Sequence, residues 1–167
     1  MNATLLHTEA TAACWKLMDQ ICDPEVPVLS LNDLGIVRAI AVKSPPSEAG
    51  IIDITITATY SGCPAMDWIA NTIKIELRAM GYQSITVNHA ISPAWTTDWM
   101  SEQGKEKLKE YGIAPPEKRF SIPTDGIPCP QCKSEHTRLL SEFGSTSCKA
   151  LLQCQDCGEP FDYFKCH

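Results

Sequence analysis

Ile51-Ile52-Asp53-Ile54-Thr55-Ile56-Thr57-Ala58-Thr59 runs directly into Tyr60-Ser61-Gly62-Cys63-Pro64, a passage from strand to helix. Its first part alternates β-branched with polar residues, the period of a half-buried strand. Its second part turns the chain. Glycine permits a sharp bend, and proline suits the first turn of a helix, where its missing N–H has no intrahelical acceptor to lose. The helix predicted next carries Met66, Ile69, Ile73, Leu77 and Met80 on one side, and Gly81 is placed to end it.

Residues 36–42 read as a second strand, separated from the first by a Pro- and Ser-rich turn over 44–50. The pair forms a hairpin. Residues 84–91 read as a third strand. A helix is predicted over 9–22, with Ala10, Cys14, Leu17, Met18 and Ile21 at helical spacing. It ends at Asp23-Pro24, because the residue before a proline is pushed out of the helical region. Residues 97–111 read as one charged helix stopped by Gly112. The order α-β-β-α-β-α describes an α+β fold, a small three-stranded sheet covered by helices. Residues 115–128 hold four prolines and no periodicity, so the expected organisation is a domain over 1–114, a linker over 115–127 and a small β ribbon over 128–167.

Composition limits the function. The net charge is −6 and no basic run occurs, which excludes a phosphate-backbone partner and an anionic membrane surface. No apolar run reaches the roughly 18–20 residues of a membrane span. The first residues lack the pattern of a signal peptide, so a cytosolic protein is expected, whose nine cysteines stay reduced. Reduced cysteines in this number point to metal rather than to disulfides.

Their spacing agrees. Cys129-Pro130-Gln131-Cys132 and Cys154-Gln155-Asp156-Cys157 are two CxxC pairs twenty-one residues apart. Two such knuckles supply a tetrahedral thiolate shell, for which Zn²⁺ is the expected ion and an iron–sulfur cluster the alternative. Segments 137–141, 149–153 and 161–165 read as the strands of a ribbon around them, with a turn at Phe143-Gly144-Ser145. Cys148 and Cys166 are possible additional ligands or small buried residues. His136 and His167 are surface histidines by default.

Cys63 lies at the start of a helix, where N–H groups and the helix dipole favour a thiolate, the form that attacks electrophiles and binds metals. It is a candidate reactive thiol or a buried packing residue. Asp23 and Glu25, framed by Pro24 and Pro27, form an acidic cluster, with Asp33 in the loop beyond. Nucleophilic catalysis by Cys63 requires a base, and His89 is the only plausible histidine of that domain. Trp95, Trp99 and Tyr111 are either an aromatic contact surface or core.

Asp23-Pro24-Glu25-Val26-Pro27, Asp33-Leu34-Gly35-Ile36-Val37 and Gly62-Cys63-Pro64 together resemble the MIP-type family of iron–sulfur assembly proteins, which includes SufT. Residues 93–100, 141–151 and 159–166 narrow the resemblance to the PaaD family, accessory proteins of the bacterial phenylacetyl-CoA epoxidase. The resemblance covers nearly the whole chain, but little of residues 1–22. It implies a non-catalytic accessory or maturation factor of aerobic phenylacetate degradation. It also implies the epoxidase components as partners, above all the iron–sulfur reductase. Cys63 falls on the family's reactive cysteine, and Asp23 and Glu25 on its acidic motif. A stably bound structural subunit is the alternative.

Overall fold

The computed structural model describes residues 3–116 and 126–165. Its first unit is organised on β2 (Ile51–Ile56), which lies between β1 (Val37–Ser44) and β3 (Ser84–His89) in the order β1-β2-β3. β1 runs antiparallel to β2, as a hairpin requires. β3 runs parallel, so the chain crosses between β2 and β3 through α2 (Ala65–Ala79). α1 (Ala3–Met18) and α2 cover one face of the sheet. Ile52, Ile54 and Ile56 are fully buried there with Ile69, Ile73 and Leu77 of α2, each buried aliphatic side chain contributing about 1.5–3 kcal/mol. Cys14 is buried too, its thiol donating to the Tyr82 hydroxyl at 3.4 Å.

Strand and helix ends shift by a few residues from the sequence reading, and two helices differ in kind. α1 stops at Met18, not at Cys22. Asp23 N–H donates to Leu29 O and Leu31 N–H to Ile21 O, a Cys22–Ser30 bridge that pulls residues 21–23 into extended backbone. The proline rule sets a limit on a helix, and tertiary pairing ends this one sooner. The helix expected over 97–111 is two pieces, a 3₁₀ turn at Thr97–Trp99 and α3 (Glu102–Tyr111). Met100 and Ser101 are extended between them. The Ser101 hydroxyl accepts from Gly104 N–H at 2.8 Å, starting a new helix where periodicity alone reads on through. Gly112 closes it in the left-handed conformation, as expected.

The chain divides into compact units Met1–Trp95 and Thr96–His167. Within the second unit, the segment after α3 joins the ribbon. Ala114 N–H donates to Asp162 O, and Phe164 N–H to Ala114 O. The ribbon itself is an antiparallel sheet, β4 (Thr137–Ser141), β5 (Lys149–Cys154) and β6 (Pro160–Phe164), within a residue or two of the sequence reading. Its core is small: Ala114, Ile127, Ala150, Leu152, Phe161 and Tyr163, completed by Cys129 and Cys154. No helix among the described residues is long and apolar enough to cross a membrane.

Candidate metal and thiol sites

Two separate sulfur sites emerge. In the first unit, β2 ends at Ile56 and the chain turns through Gly62, whose φ of +80° needs glycine, to place Cys63 one residue before Pro64 at the head of α2. Cys63 is partly exposed. Burial is the largest influence on its thiol and pushes its pKa up. The Tyr60 hydroxyl and the Ala65 N–H pull it down through hydrogen bonds to sulfur, and the charges of Glu25 and Asp23 push it up again. The net direction is upward. The helix-terminal amide expected from the sequence is in place, but burial and two carboxylates outweigh it.

The structure thus brings Asp23 and Glu25 into electrostatic reach of Cys63. Asp23 is held in a turn, its Oδ1 accepting from Glu25 N–H at 2.8 Å and from Val26 N–H at 2.9 Å. That turn orients Glu25, so the Asp-Pro-Glu triplet is a built feature rather than a solvated accident. Asp33 has a different place: it is buried, its Oδ2 accepting from Ser30 N–H while its own N–H donates to Ser30 Oγ. His89 closes β3 on an exposed edge and is not among the groups acting on Cys63. Tyr60 is the residue that sequence reading missed. Its position three before Cys63, inside a glycine turn, was the available signal.

The aromatic residues divide between the two expectations. Trp95 is core, its indole N–H donating to Leu34 O at 2.8 Å. Trp99 is partly buried and Tyr111 is exposed. On the Cys63 helix the exposed aromatic is Trp68, which lines a groove of about 320 Å³ with Leu17, Ile21, Cys22 and Glu76.

In the ribbon, Cys129, Cys132, Cys154 and Cys157 place their sulfurs within 4.8 Å of one another. Cys129–Cys157 is 3.8 Å and Cys132–Cys154 is 3.5 Å. A tetrahedron with metal–sulfur bonds of about 2.3 Å has edges of about 3.8 Å, so the four thiols fit one ion. The two knuckles repeat one backbone pattern. Lys133 N–H donates to Cys129 O and Cys129 N–H to Ser134 O. Gly158 N–H donates to Cys154 O and Cys154 N–H to Glu159 O. Each pattern needs a left-handed residue, supplied by Gly158 at φ +79° and by Lys133 at φ +65°. N–H groups of Cys157 and Asp156 aim at the Cys154 sulfur and, with thiol donors from Cys132 and Cys157, bring its pKa down to about 7. Cys148 lies outside this set, buried with its sulfur 2.9 Å from Thr146 Oγ1. Cys166 and His167 lie outside the described residues. His136 is exposed but engaged, its Nδ1 3.1 Å from Asp156 Oδ1.

Comparison with known proteins follows the same division. Residues 11–88 match the family model described as iron-sulfur cluster assembly protein, and residues 114–165 the one described as PaaD zinc beta ribbon domain. An Escherichia coli protein provisionally named as one of the subunits of 1,2-phenylacetyl-CoA epoxidase is 46% identical over 91% of this chain and 90% of its own length. An Fe-S protein maturation auxiliary factor of Porphyromonas gingivalis is 28% identical over 65% of this chain and 97% of its own length. A domain of unknown function from Bacillus anthracis shares the fold, at a TM-score of 0.55 and 23% identity over 63% of this chain and 96% of that one.

Proposed function

The chain belongs to the PaaD family, in which an iron–sulfur cluster assembly domain precedes a zinc beta ribbon, and from that premise we propose that it is an accessory factor that helps mature the phenylacetyl-CoA epoxidase complex. In this reading its client is the complex's reductase component, and an iron–sulfur cluster is the cargo. The observation that carries it is that Asp23 and Glu25 come within electrostatic reach of Cys63 at the start of α2.

The chemistry follows from that grouping. Cys63 offers a single sulfur, partly exposed, whose proton is retained by burial and by two carboxylates. A thiol that binds as it loses a proton, with few protein ligands around it, suits transient possession of a cargo. Asp23 and Glu25 supply oxygen donors or accept the released proton. Tyr60 and the Ala65 amide stabilise the sulfur's negative charge once the proton is gone.

In the same proposal the ribbon holds Zn²⁺ as a resident structural ion. The four sulfurs are spaced for one ion, whereas a cluster spreads its thiolates over separate irons. When bound, the ion supplies the cross-link that so small a core lacks. Residues 1–114 are the assembly domain and 128–167 the ribbon in this functional division.

The test is direct. Zinc, iron and acid-labile sulfide are measured per chain after strictly anaerobic purification. Client cluster content is measured in cells carrying wild-type or Cys63→Ala protein. We expect about one zinc per chain, retained in both proteins, and a cluster-poor reductase with Cys63→Ala. A reductase with full cluster content in those cells sinks the delivery reading. A stable stoichiometric complex with normal client clusters favours a structural subunit instead.

A further inference from the structure

Each ribbon knuckle is closed by its own backbone, yet the four sulfurs converge only if the two knuckles keep a fixed separation. Beside the β4–β5 ladder, a set of side chains spans that separation. Ser134 Oγ donates to Asp156 Oδ2, and His136 Nδ1 lies 3.1 Å from Asp156 Oδ1. His136 N–H donates to Ser134 Oγ at 3.0 Å, and Gln155 N–H donates to His136 O at 2.8 Å. Ser134 follows the first knuckle; Asp156 sits between the two cysteines of the second.

These two residues also act on sulfur. Ser134 N–H donates to the Cys132 sulfur, and Asp156 N–H to the Cys154 sulfur. Cys132 and Cys154 are the cross-knuckle pair at 3.5 Å. The Ser134–Asp156 hydrogen bond therefore ties together two amides that each hold one member of that pair. Hydrogen bonds to metal-bound thiolates withdraw charge from sulfur and fix its direction, and loss of such outer partners typically weakens metal binding about 10–100-fold.

We propose that Ser134, Asp156 and His136 form a clasp that positions the two knuckles and sets how long the four-thiolate centre retains its metal ion. The proposal rests on reading the four cysteines as a resident metal centre. These are positioning residues, since they reach the ion only through the sulfurs.

The experiment uses full-length protein loaded with zinc, or with cobalt(II) as a visible probe, in wild-type, Ser134→Ala, Ser134→Thr, Asp156→Ala and Ser134→Ala/Asp156→Ala forms. Zinc loss to an excess of chromogenic chelator is followed in time, and the thiolate-to-cobalt absorption bands are compared. We expect zinc loss about tenfold faster in Ser134→Ala and Asp156→Ala, with little further effect in the double variant, because both remove one bond. The cobalt bands shift in these forms. Ser134→Thr, which keeps the hydroxyl, behaves as wild type. Wild-type rates in both alanine variants, or a threonine variant as fast as the alanine one, overturns the clasp. If Asp156→Ala fails to fold, the Ser134→Ala and Ser134→Thr pair still decides. Wild-type protein that takes up neither zinc nor cobalt overturns the metal-centre reading itself, an outcome distinct from equal rates in loaded proteins.

Discussion

Cys63 is one sulfur at the head of a helix, with two carboxylates in electrostatic reach and its thiol pKa pushed upward. The ribbon gathers four sulfurs within 4.8 Å, aims backbone N–H groups at them and brings Cys154 down to about 7. The difference lies in what surrounds each sulfur. In the ribbon, backbone N–H groups reach the Cys132, Cys154 and Cys157 sulfurs, and hydrogen bonds among the sulfurs lower the Cys154 pKa while those of Cys132 and Cys157 are raised. A cation would replace those shared protons at sulfurs already gathered for it. At Cys63, burial and the charges of Glu25 and Asp23 keep the proton on sulfur.

The strongest way to break this contrast is to dismantle the ribbon. Cys154→Ser with Cys157→Ser removes half of the ligand set, and the ribbon should lose its metal and its fold together. Structural zinc contributes on the order of 10 kcal/mol to such units. Zinc analysis with limited proteolysis checks it: the expected outcome is cleavage between residues 126 and 165 while the helical signal of residues 3–95 persists. A proteolytically resistant, zinc-free tail would show that the small core suffices alone.

A severalfold effect is expected at Cys63. Asp23→Asn and Glu25→Gln each remove a negative charge while keeping an oxygen acceptor. Both should lower the Cys63 pKa, since those charges raise it. The sign gives the window: wild-type Cys63 stays protonated up to and beyond an ordinary thiol's 9.0, so at pH 8 the variants alkylate faster with iodoacetamide. Peptide mass spectrometry reads the rate at Cys63 itself. Slower alkylation in both variants would reverse the electrostatic account.

The smallest effect concerns the two left-handed knuckle residues. Lys133 adopts at φ +65° what Gly158 adopts at φ +79°. Gly158→Ala should cost about 1 kcal/mol of ribbon stability, and Lys133→Gly should gain up to about 1 kcal/mol. The Lys133 gain is reduced by loss of its Nζ hydrogen bond to Pro130 O. Thermal unfolding of the zinc-loaded protein compares them.

Local chemistry made much of this legible in the sequence. The alternation over 51–59, the Gly62-Cys63-Pro64 turn, the helix face of Met66, Ile69, Ile73 and Leu77, and the paired CxxC knuckles all depend on neighbours a few residues apart. The three-stranded sheet, its covering helices and the four-sulfur set follow from them. Tertiary structure decided what depends on distant segments. The Cys22–Ser30 bridge ended α1 early, and residue 114 joined β6 across the ribbon. The burial that turns the Cys63 pKa upward, and the two carboxylates that add to it, come from segments far along the chain, which no local pattern reports. Spacing therefore identifies which side chains carry chemistry. The direction in which each is tuned belongs to the packed molecule, because desolvation and Coulomb interactions act through space rather than along the chain.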